Sequence, residues 1–214
     1  MFVIAIDGPA ASGKSSVSRL LARKLGCRYV NSGAFYRAVT WAALKAGLPP
    51  SDEAALSGFV RKICFACRVE DGQTILLIDG VDPETHLRDS QVNSNVSRVS
   101  SYPEVRGVIT SLLRDMSREE SLVMEGRDIG SFVFPDTPYK FYIDASEEVR
   151  ASRRSAQGET DSIARRDAFD STRKNAPLII SEDAHVIDSS HLTLEGVVGE
   201  IIGRLRLKGM PVTL

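Results

Sequence analysis

Residues 8–15, with the sequence GPAASGKS, constrain the fold more than any other part of the chain, because they fit the pattern G-x-x-x-x-G-K-[ST]. An apolar run at residues 3–6 precedes this segment, and Val17, Leu21 and Leu25 follow it at helical spacing. Glycines let a loop wrap closely around a phosphate, and the positive end of the helix dipole faces the same group. The order strand, glycine loop, helix therefore predicts a nucleotide-binding loop.

The residue types in this loop indicate what it holds. In loops of this pattern the lysine, here Lys14, bridges the β- and γ-phosphates, and the hydroxyl of the next residue, here Ser15, ligates Mg²⁺. We therefore expect Mg²⁺ as the cofactor, with ATP as the phosphoryl donor and Ser15 as the metal ligand. The residues expected to contact the donor are Gly8, Pro9, Ala10, Ala11, Ser12, Gly13, Lys14, Ser15 and Ser16.

Such a loop occurs in kinases, motors and regulatory switches, so other features must separate these classes. A regulatory GTPase would carry N-K-x-D and D-x-x-G motifs, and neither occurs in this sequence. This favours a kinase. A nucleotide-binding regulator that does not transfer phosphate remains an alternative from a different class, and acceptor-dependent turnover would distinguish the two.

Length and composition limit the remaining possibilities. A chain of 214 residues that is 43% hydrophobic can bury one substantial core, with room for a small inserted subdomain. A net charge of -1 provides no broad basic field for nucleic acid, and no run of eighteen apolar residues predicts a membrane span. Three cysteines predict neither a disulfide framework nor a zinc site. We expect a monomeric cytoplasmic protein that acts on small molecules.

Apolar runs and helical patterns alternate along the chain. Candidate strands lie at residues 3–6, 29–30, 122–126, 139–144 and 185–189, with amphipathic segments between them. This alternation predicts a three-layer α/β domain with a parallel sheet. Near residue 63 the pattern changes to alternating residues with Asp-Gly turns at 71–72 and 79–80, which predicts a small antiparallel insertion.

Two polar segments follow predicted strands and indicate a second ligand. NSGAFYR follows the strand near residue 30, and EGRDIG follows the strand at 122–126. Parallel sheets bind ligands at the carboxyl ends of their strands, where both segments would lie. Taken singly, Arg37 and Arg106 are also explained as solvated helix residues and Asp128 as a cap. Their joint placement favours a site for the acceptor.

The segments GPAASGKS, NSGAFYRAV, SNVSRVSSYPEVR, MEGRDIGSFVFPD, FDSTRKNAPL and DAHVIDSS, in this order, resemble the bacterial cytidylate kinases, which phosphorylate CMP and dCMP from ATP. The resemblance runs nearly end to end. It implies the three-layer P-loop kinase fold of the nucleoside monophosphate kinases, as a single domain over residues 1–214. It also implies a small α+β CMP-binding insertion at about 35–100 and a short helical lid at about 150–168. A kinase for UMP or AMP is the nearest enzymatic alternative.

The resemblance assigns acceptor roles by position. The residues implied near the CMP phosphate are Ser32, Arg37 and Arg127. Those implied at the cytosine are Ser97, Arg106 and Asp128, and those at the ribose and phosphate side are Asp170 and Arg173. A carboxylate such as Asp128 suits cytosine, because it accepts from the N4 amino group and would repel the carbonyl that uracil has there. The arginine fork suits phosphate oxygens or the cytosine edge.

Arginines also crowd the segment expected to form the lid. They are Arg150, Arg153, Arg154, Arg165, Arg166 and Arg173. Solvated charged helices are the ordinary reading of such a run, but a phosphoryl-transfer site needs cations that close over the transferring group. We expect the catalytic residues to be Lys14, Arg127, Arg154 and Arg166. Two features depart from the family pattern, a short stretch between the arginine clusters and Asn31 where relatives have an aspartate.

Overall fold

A single sheet organises the chain, which in this computed structural model is described for residues 1–156 and 163–211, with residues 163–166 described in their backbone alone. The strands within these ranges are β1 (Val3–Asp7), β2 (Arg28–Asn31), β3 (Phe65–Glu70), β4 (Gln73–Ile78), β5 (Leu122–Gly126), β6 (Tyr139–Asp144) and β7 (His185–Asp188). Their order across the sheet is β3-β4-β2-β5-β1-β6-β7. The central pairings β2–β5, β5–β1, β1–β6 and β6–β7 are parallel, which confirms the predicted parallel core.

The helices cover both faces of the sheet. They are α1 (Lys14–Leu25), α2 (Ser32–Lys45), α3 (Glu53–Val60), α4 (Ser90–Val99), α5 (Pro103–Met116), α6 (Glu147–Ala156), α7 (Ile163–Ser171) and α8 (Leu194–Leu207). Helices α1 and α8 pack on one face, and α2, α3, α4 and α5 contribute to the core on the other. The predicted three-layer α/β fold is therefore confirmed. No helix of the described ranges is both long and apolar enough to cross a membrane.

The two cores explain why β1 reads as an unbroken apolar run. Ile4 and Ile6 point into the core beneath α1 and α8, whereas Ala5 points into the core beneath α2 and α5. Because both faces of the strand are covered, every residue of β1 is buried. This double burial fixes the strand from which the glycine loop leaves the sheet.

The predicted antiparallel insertion is present as the hairpin of β3 and β4. Asp71 and Gly72 make its turn with φ angles of 49° and 74°, the left-handed pair that a two-residue hairpin turn requires. Strand β4 also lies parallel to β2, with Tyr29 opposite Gln73. The hairpin therefore extends the central sheet instead of forming a separate one.

Local capping matches the sequence at both ends of the fold. Helix α1 ends at Gly26, which has a φ of 63°. Helix α8 begins after Thr193, whose hydroxyl accepts a hydrogen bond from the backbone N–H of Gly196 at 3.1 Å. A π-helical turn at Ile129–Val133 follows β5. Because this turn starts directly after Asp128, it determines how that side chain enters the site described below.

Candidate functional site

A cleft of about 720 Å³ opens at the carboxyl ends of β1, β2 and β5. The sequence-predicted residues that line it are Ala10, Ala11, Ser12, Gly13, Lys14, Ser15, Ser16, Ser32, Arg37, Ser97, Arg127, Asp128, Arg154, Asp170 and Arg173. Gly8, Pro9 and Arg106 lie outside this lining. The side chain of Arg166 and residues 157–162 of the expected lid lie outside the described residues. The structure thus brings most of the predicted donor and acceptor residues to one cleft.

The glycines of the loop are required by its geometry. Gly8 has a φ of 154°, and a Cβ added there would stand 2.1 Å from the carbonyl oxygen of Ile143. Gly13 has a φ of 91° and caps the N-terminus of α1. The loop therefore lies against the sheet at Gly8 and directs the first turn of α1 toward the cleft, as an anion-binding loop must.

Lys14 stands at the floor of the cleft, where it is 8% exposed. Its ammonium Nζ donates a hydrogen bond to the carbonyl oxygen of Pro9 at 2.9 Å. This bond holds the lysine across the loop that begins at Gly8. A positive charge is thereby placed beside the backbone that the pattern assigns to phosphate.

Asp7, at the end of β1, is a buried carboxyl that sequence analysis did not assign. Its two oxygens accept hydrogen bonds from the backbone N–H groups of Ile129 at 2.8 Å and Gly130 at 2.7 Å. Burial raises the pKa of Asp7 to about 7, although these two bonds and Lys14 act in the opposite direction. Asp7 therefore fastens the π-helical turn after Asp128 to the strand that carries the glycine loop.

Glu125 links Ser15, the expected metal ligand of the loop, to the neighbouring strands. One carboxylate oxygen accepts from the Ser15 hydroxyl at 2.7 Å, and the other accepts from the Tyr29 hydroxyl. The backbone carbonyl of Glu125 accepts from the hydroxyl of Ser32 at 2.8 Å. Sequence analysis placed Glu125 in the EGRDIG segment but gave it no role, because its partner Ser15 lies 110 residues away in the chain.

Arg127 joins the glycine loop to Asp170 on α7. Its guanidinium donates to the carbonyl oxygen of Gly8 at 2.8 Å and to a carboxylate oxygen of Asp170 at 3.0 Å. The other carboxylate oxygen of Asp170 accepts from Arg173, which also donates to the hydroxyl of Ser100 at 3.1 Å. Burial lowers the pKa of Arg173, and the charge of Asp170 opposes that shift. Three of the predicted residues therefore form one charged cluster.

Asp128 and Arg106 form a second, deeper ion pair, with side chains only 4% and 3% exposed. Arg106 also donates to the carbonyl oxygen of Ser100 at 3.1 Å and lies over the rings of Tyr36 and Phe132. Burial raises the pKa of Asp128, while the charge of Arg106 opposes that effect. Asp128 faces the main cleft, whereas Arg106 lines a second cavity of about 510 Å³ behind it.

Arg37 and Ser97 come from the two helices next to the hairpin. The guanidinium of Arg37 on α2 donates to the carbonyl oxygen of Leu87 at 2.9 Å and to the side-chain oxygen of Asn93 on α4. Ser97 lies one helical turn after Asn93 and also lines the cleft. The segment 84–99 is therefore connected to α2 through the arginine that the resemblance places near a phosphate.

Helix α6, with which the expected lid begins, contacts the glycine loop directly. Arg153 on α6 donates to the carbonyl oxygen of Ser12 at 3.2 Å and to the carbonyl oxygen of Ser189 at 2.8 Å. The hydroxyl of Ser189 donates to the same Ser12 oxygen at 2.9 Å. Arg154 lines the cleft beside Arg153. Sequence analysis grouped these arginines together but could not tell which of them reach the loop.

A second contact holds Ala10 of the loop. The carboxylate of Asp167 on α7 accepts from the backbone N–H of Ala10 at 2.9 Å and pairs with Arg150. Arg150 in turn donates to the carbonyl oxygen of Ala10 at 3.3 Å. Both backbone groups of one loop residue are therefore bonded to the helices on either side of residues 157–162. Sequence analysis did not single out Asp167.

The oxygens near the loop suit a hard metal ion. Ser15 and Glu125 present a hydroxyl and a carboxylate within 2.7 Å of one another. Mg²⁺ takes oxygen ligands and is bound through one or two protein groups together with phosphates and water. Within the ranges that the structure describes, no group of three or more His, Cys, Asp or Glu residues forms a metal cage. The donor set therefore fits Mg²⁺ that arrives with a nucleotide.

Comparisons with known proteins agree on one family. The family model described as cytidylate kinase matches residues 4–207. A cytidylate kinase of Streptomyces avermitilis is 40% identical over 205 residues, which covers 92% of this chain and 89% of that protein. A cytidylate kinase of Clostridium botulinum is 41% identical over 209 residues, which covers 92% and 94% respectively.

Among solved structures, a gluconokinase from Sinorhizobium meliloti aligns with a TM-score of 0.52 at 14% identity, covering 97% of this chain and 93% of that one. At this identity the likeness shows the fold alone. It supports the three-layer α/β architecture described above.

Proposed function

The chain belongs to the cytidylate kinase family, and we propose on that premise how its cleft divides between two nucleotides. Members of this family transfer the γ-phosphoryl group of ATP to CMP or dCMP, which gives ADP and CDP or dCDP, and this chain is such a phosphotransferase. The phosphoryl group passes directly from the donor phosphate to the acceptor phosphate. Catalysis therefore depends on positioning and on neutralising charge, and an acceptor phosphate that is already ionised needs no general base.

The donor phosphates bind at residues 8–16. The N-terminus of α1 and the loop N–H groups face them, and Lys14 neutralises the charge that develops between the β- and γ-phosphates. Because Arg153 and Ser189 already hold the Ser12 carbonyl, the loop keeps its shape before the nucleotide arrives. This preorganisation reduces the cost of ordering the loop at the moment of binding.

Ser15 and Glu125 hold Mg²⁺ with the donor. The ion, when bound, neutralises charge on the β- and γ-phosphates. Ser15 supplies the hydroxyl ligand, and Glu125 supplies the carboxylate that orients this hydroxyl through the 2.7 Å bond between them. Phosphates and water would supply the remaining ligands of the ion, as Mg²⁺ prefers.

The acceptor binds at the opposite part of the cleft. Ser32, Arg37 and Arg127 face its phosphate, and Asp170 with Arg173 face its ribose and phosphate side. Ser97, Asp128 and Arg106 recognise cytosine. Arg106 acts from behind the lining, because its guanidinium fixes the Asp128 carboxylate that faces the base.

Two lid arginines complete the charge balance during transfer. Arg154 lies in the lining of the cleft, and Arg166 belongs to α7, whose later residue Asp167 already contacts the loop at Ala10. Cations at these positions neutralise charge on the transferring phosphoryl group. When closed, the lid would also keep water away from the transferring phosphoryl group.

The position of Arg127 carries this assignment. Its guanidinium bonds to the Gly8 carbonyl on the donor side and to Asp170 on the acceptor side, so one cation lies where the two phosphates must meet. An acceptor panel of CMP, dCMP, UMP, AMP and GMP, with ADP release as the measurement, tests the assignment. We expect release to depend on CMP or dCMP. Release with another acceptor and none with CMP would overturn it.

A further inference from the structure

A chain of hydrogen bonds leads from Tyr29 on β2, through Glu125, to Ser15 in the glycine loop. The hydroxyl of Tyr29 donates to one carboxylate oxygen of Glu125. The other oxygen of Glu125 accepts from the Ser15 hydroxyl at 2.7 Å. Tyr29 and Glu125 are each 2% exposed, and of these two residues Glu125 lines the cleft.

The direction of each bond in this chain follows from its chemistry. The Tyr29 hydroxyl has one proton to donate, and the Glu125 carboxylate has only acceptor oxygens, so the hydroxyl is the donor in the bond between them. That single proton is directed to Glu125, and a carboxylate fixed at one oxygen can present only the other oxygen to the loop.

We propose that Tyr29 is a positioning residue that fixes the Glu125 carboxylate for Mg²⁺ bound with the donor. This inference rests on the proposed function, in which Ser15 and Glu125 hold the ion. Partners behind metal ligands orient them, and loss of such a partner weakens metal binding roughly 10- to 100-fold. Tyr29 acts through Glu125 and touches neither nucleotide.

The test uses the full chain and a non-hydrolysable ATP analogue, with affinity measured by calorimetry in Mg²⁺ and in EDTA. The ratio of the two affinities is the Mg²⁺-dependent gain. For Tyr29→Phe we expect this gain to fall about tenfold, while affinity in EDTA and affinity for CMP stay unchanged. Tyr139→Phe removes a hydroxyl from β6, remote from Glu125, and should leave the gain unchanged.

A double-mutant cycle separates positioning from simple packing. If Tyr29 acts through Glu125, Tyr29→Phe added to Glu125→Gln should cause no further loss of the gain. Tyr29→Met removes the same hydroxyl but keeps a flexible apolar side chain, so it should lower the gain in the same direction even if Tyr29→Phe fails to fold.

Three results would overturn the inference. They are an unchanged gain in Tyr29→Phe, which includes equal losses of affinity in Mg²⁺ and in EDTA, additive losses in the double mutant, and an unchanged gain in Glu125→Gln. An unchanged gain in Glu125→Gln would remove the metal assignment of Glu125 and this inference with it. CMP-dependent ADP release by the wild-type chain would still be measured separately, so failure of the proposed reaction remains distinguishable.

Discussion

Arg106 and Asp128 form an ion pair across a thin wall between two cavities, because Asp128 lines the main cleft and Arg106 lines the cavity behind it. Both side chains are almost fully buried, at 3% and 4% exposure. The pair therefore exists before any base is present. In the proposed complex, a base in the main cleft would meet a carboxylate whose orientation Arg106 already fixes, which is the arrangement that strict recognition of an amino group requires.

Asp128→Asn should damage recognition of cytosine with little effect on ATP. The amide keeps the size of the carboxylate but loses its charge and presents a donor as well as an acceptor. We expect kcat/KM for CMP to fall roughly 10- to 100-fold and ATP affinity to stay within about twofold. Steady-state kinetics with CMP and UMP measure this change. Asp115→Asn on the exposed face of α5 is the control, and equal losses for CMP and ATP would contradict the role of Asp128.

Lys14→Ala should remove transfer while leaving acceptor binding intact. The substitution deletes the ammonium that now bonds to the Pro9 carbonyl and that faces the donor phosphates in the proposed complex. Loss of such a charge contact costs about 100- to 1,000-fold in kcat. Single-turnover kinetics measure the loss, and stabilisation of the variant by CMP in thermal melts checks the acceptor site. Loss of CMP stabilisation as well would mean that the two sites are misplaced.

Asp7 should make stability fall as the pH rises toward neutrality. Its pKa is raised from 3.8 to about 7 in the folded chain, so the folded state retains a proton that the unfolded state has lost. The resulting stabilisation is fully present below pH 3.8 and is lost as the pH rises through about 7. It is on the order of a few kcal/mol in total.

Asp7→Asn removes this titration, so the comparison of the two proteins isolates it. In urea unfolding between about pH 4.5 and 8, the unfolding free energy of the wild type should fall steadily relative to that of the variant. Above the folded pKa of Asp7 this relative change should stop. If the unfolding free energies of the two proteins changed in parallel with pH, the pKa of Asp7 would not be raised in the folded chain.

Gly8→Ala should destabilise the fold strongly, in contrast to a matched glycine elsewhere. A Cβ at Gly8 would stand 2.1 Å from the Ile143 carbonyl oxygen, which belongs to the backbone and cannot turn away. We expect a loss of about 3 kcal/mol or more in the free energy of unfolding. A Cβ at Gly203 in α8 meets nothing within 4 Å, so Gly203→Ala should gain about 0.5–1 kcal/mol. Urea midpoints compare the two variants, and similar midpoints would contradict the close approach at Gly8.

The features that the sequence could predict are those governed by neighbours in the chain. The apolar run of β1, the glycines that shape the loop, Gly26 after α1 and the Asp71–Gly72 turn each act within a few residues. These local signals were sufficient to predict the alternation of strands and helices. They were also sufficient to predict that the insertion contains an antiparallel hairpin.

The features that the sequence could not predict depend on distant pairings. Attachment of β4 to β2 rests on a pairing between Tyr29 and Gln73, and nothing in either strand specifies that neighbour. Glu125 meets Ser15 only because β5 lies beside β1 in the sheet. The direction of Arg106 into the second cavity follows from the packing of α5 on the π-helical turn, which no local pattern marks.

The central place of β1 in the sheet has a consequence for synthesis on the ribosome. Val3 pairs with Leu122 and Ile4 pairs with Tyr139, so β1 leaves the ribosome well before either neighbouring strand is made. At ~5–20 residues per second the wait is on the order of ten seconds. Throughout that time the strand that leads into the phosphate loop lacks both neighbours, so Ile4 and Ile6 are without the partners that bury them in the folded chain.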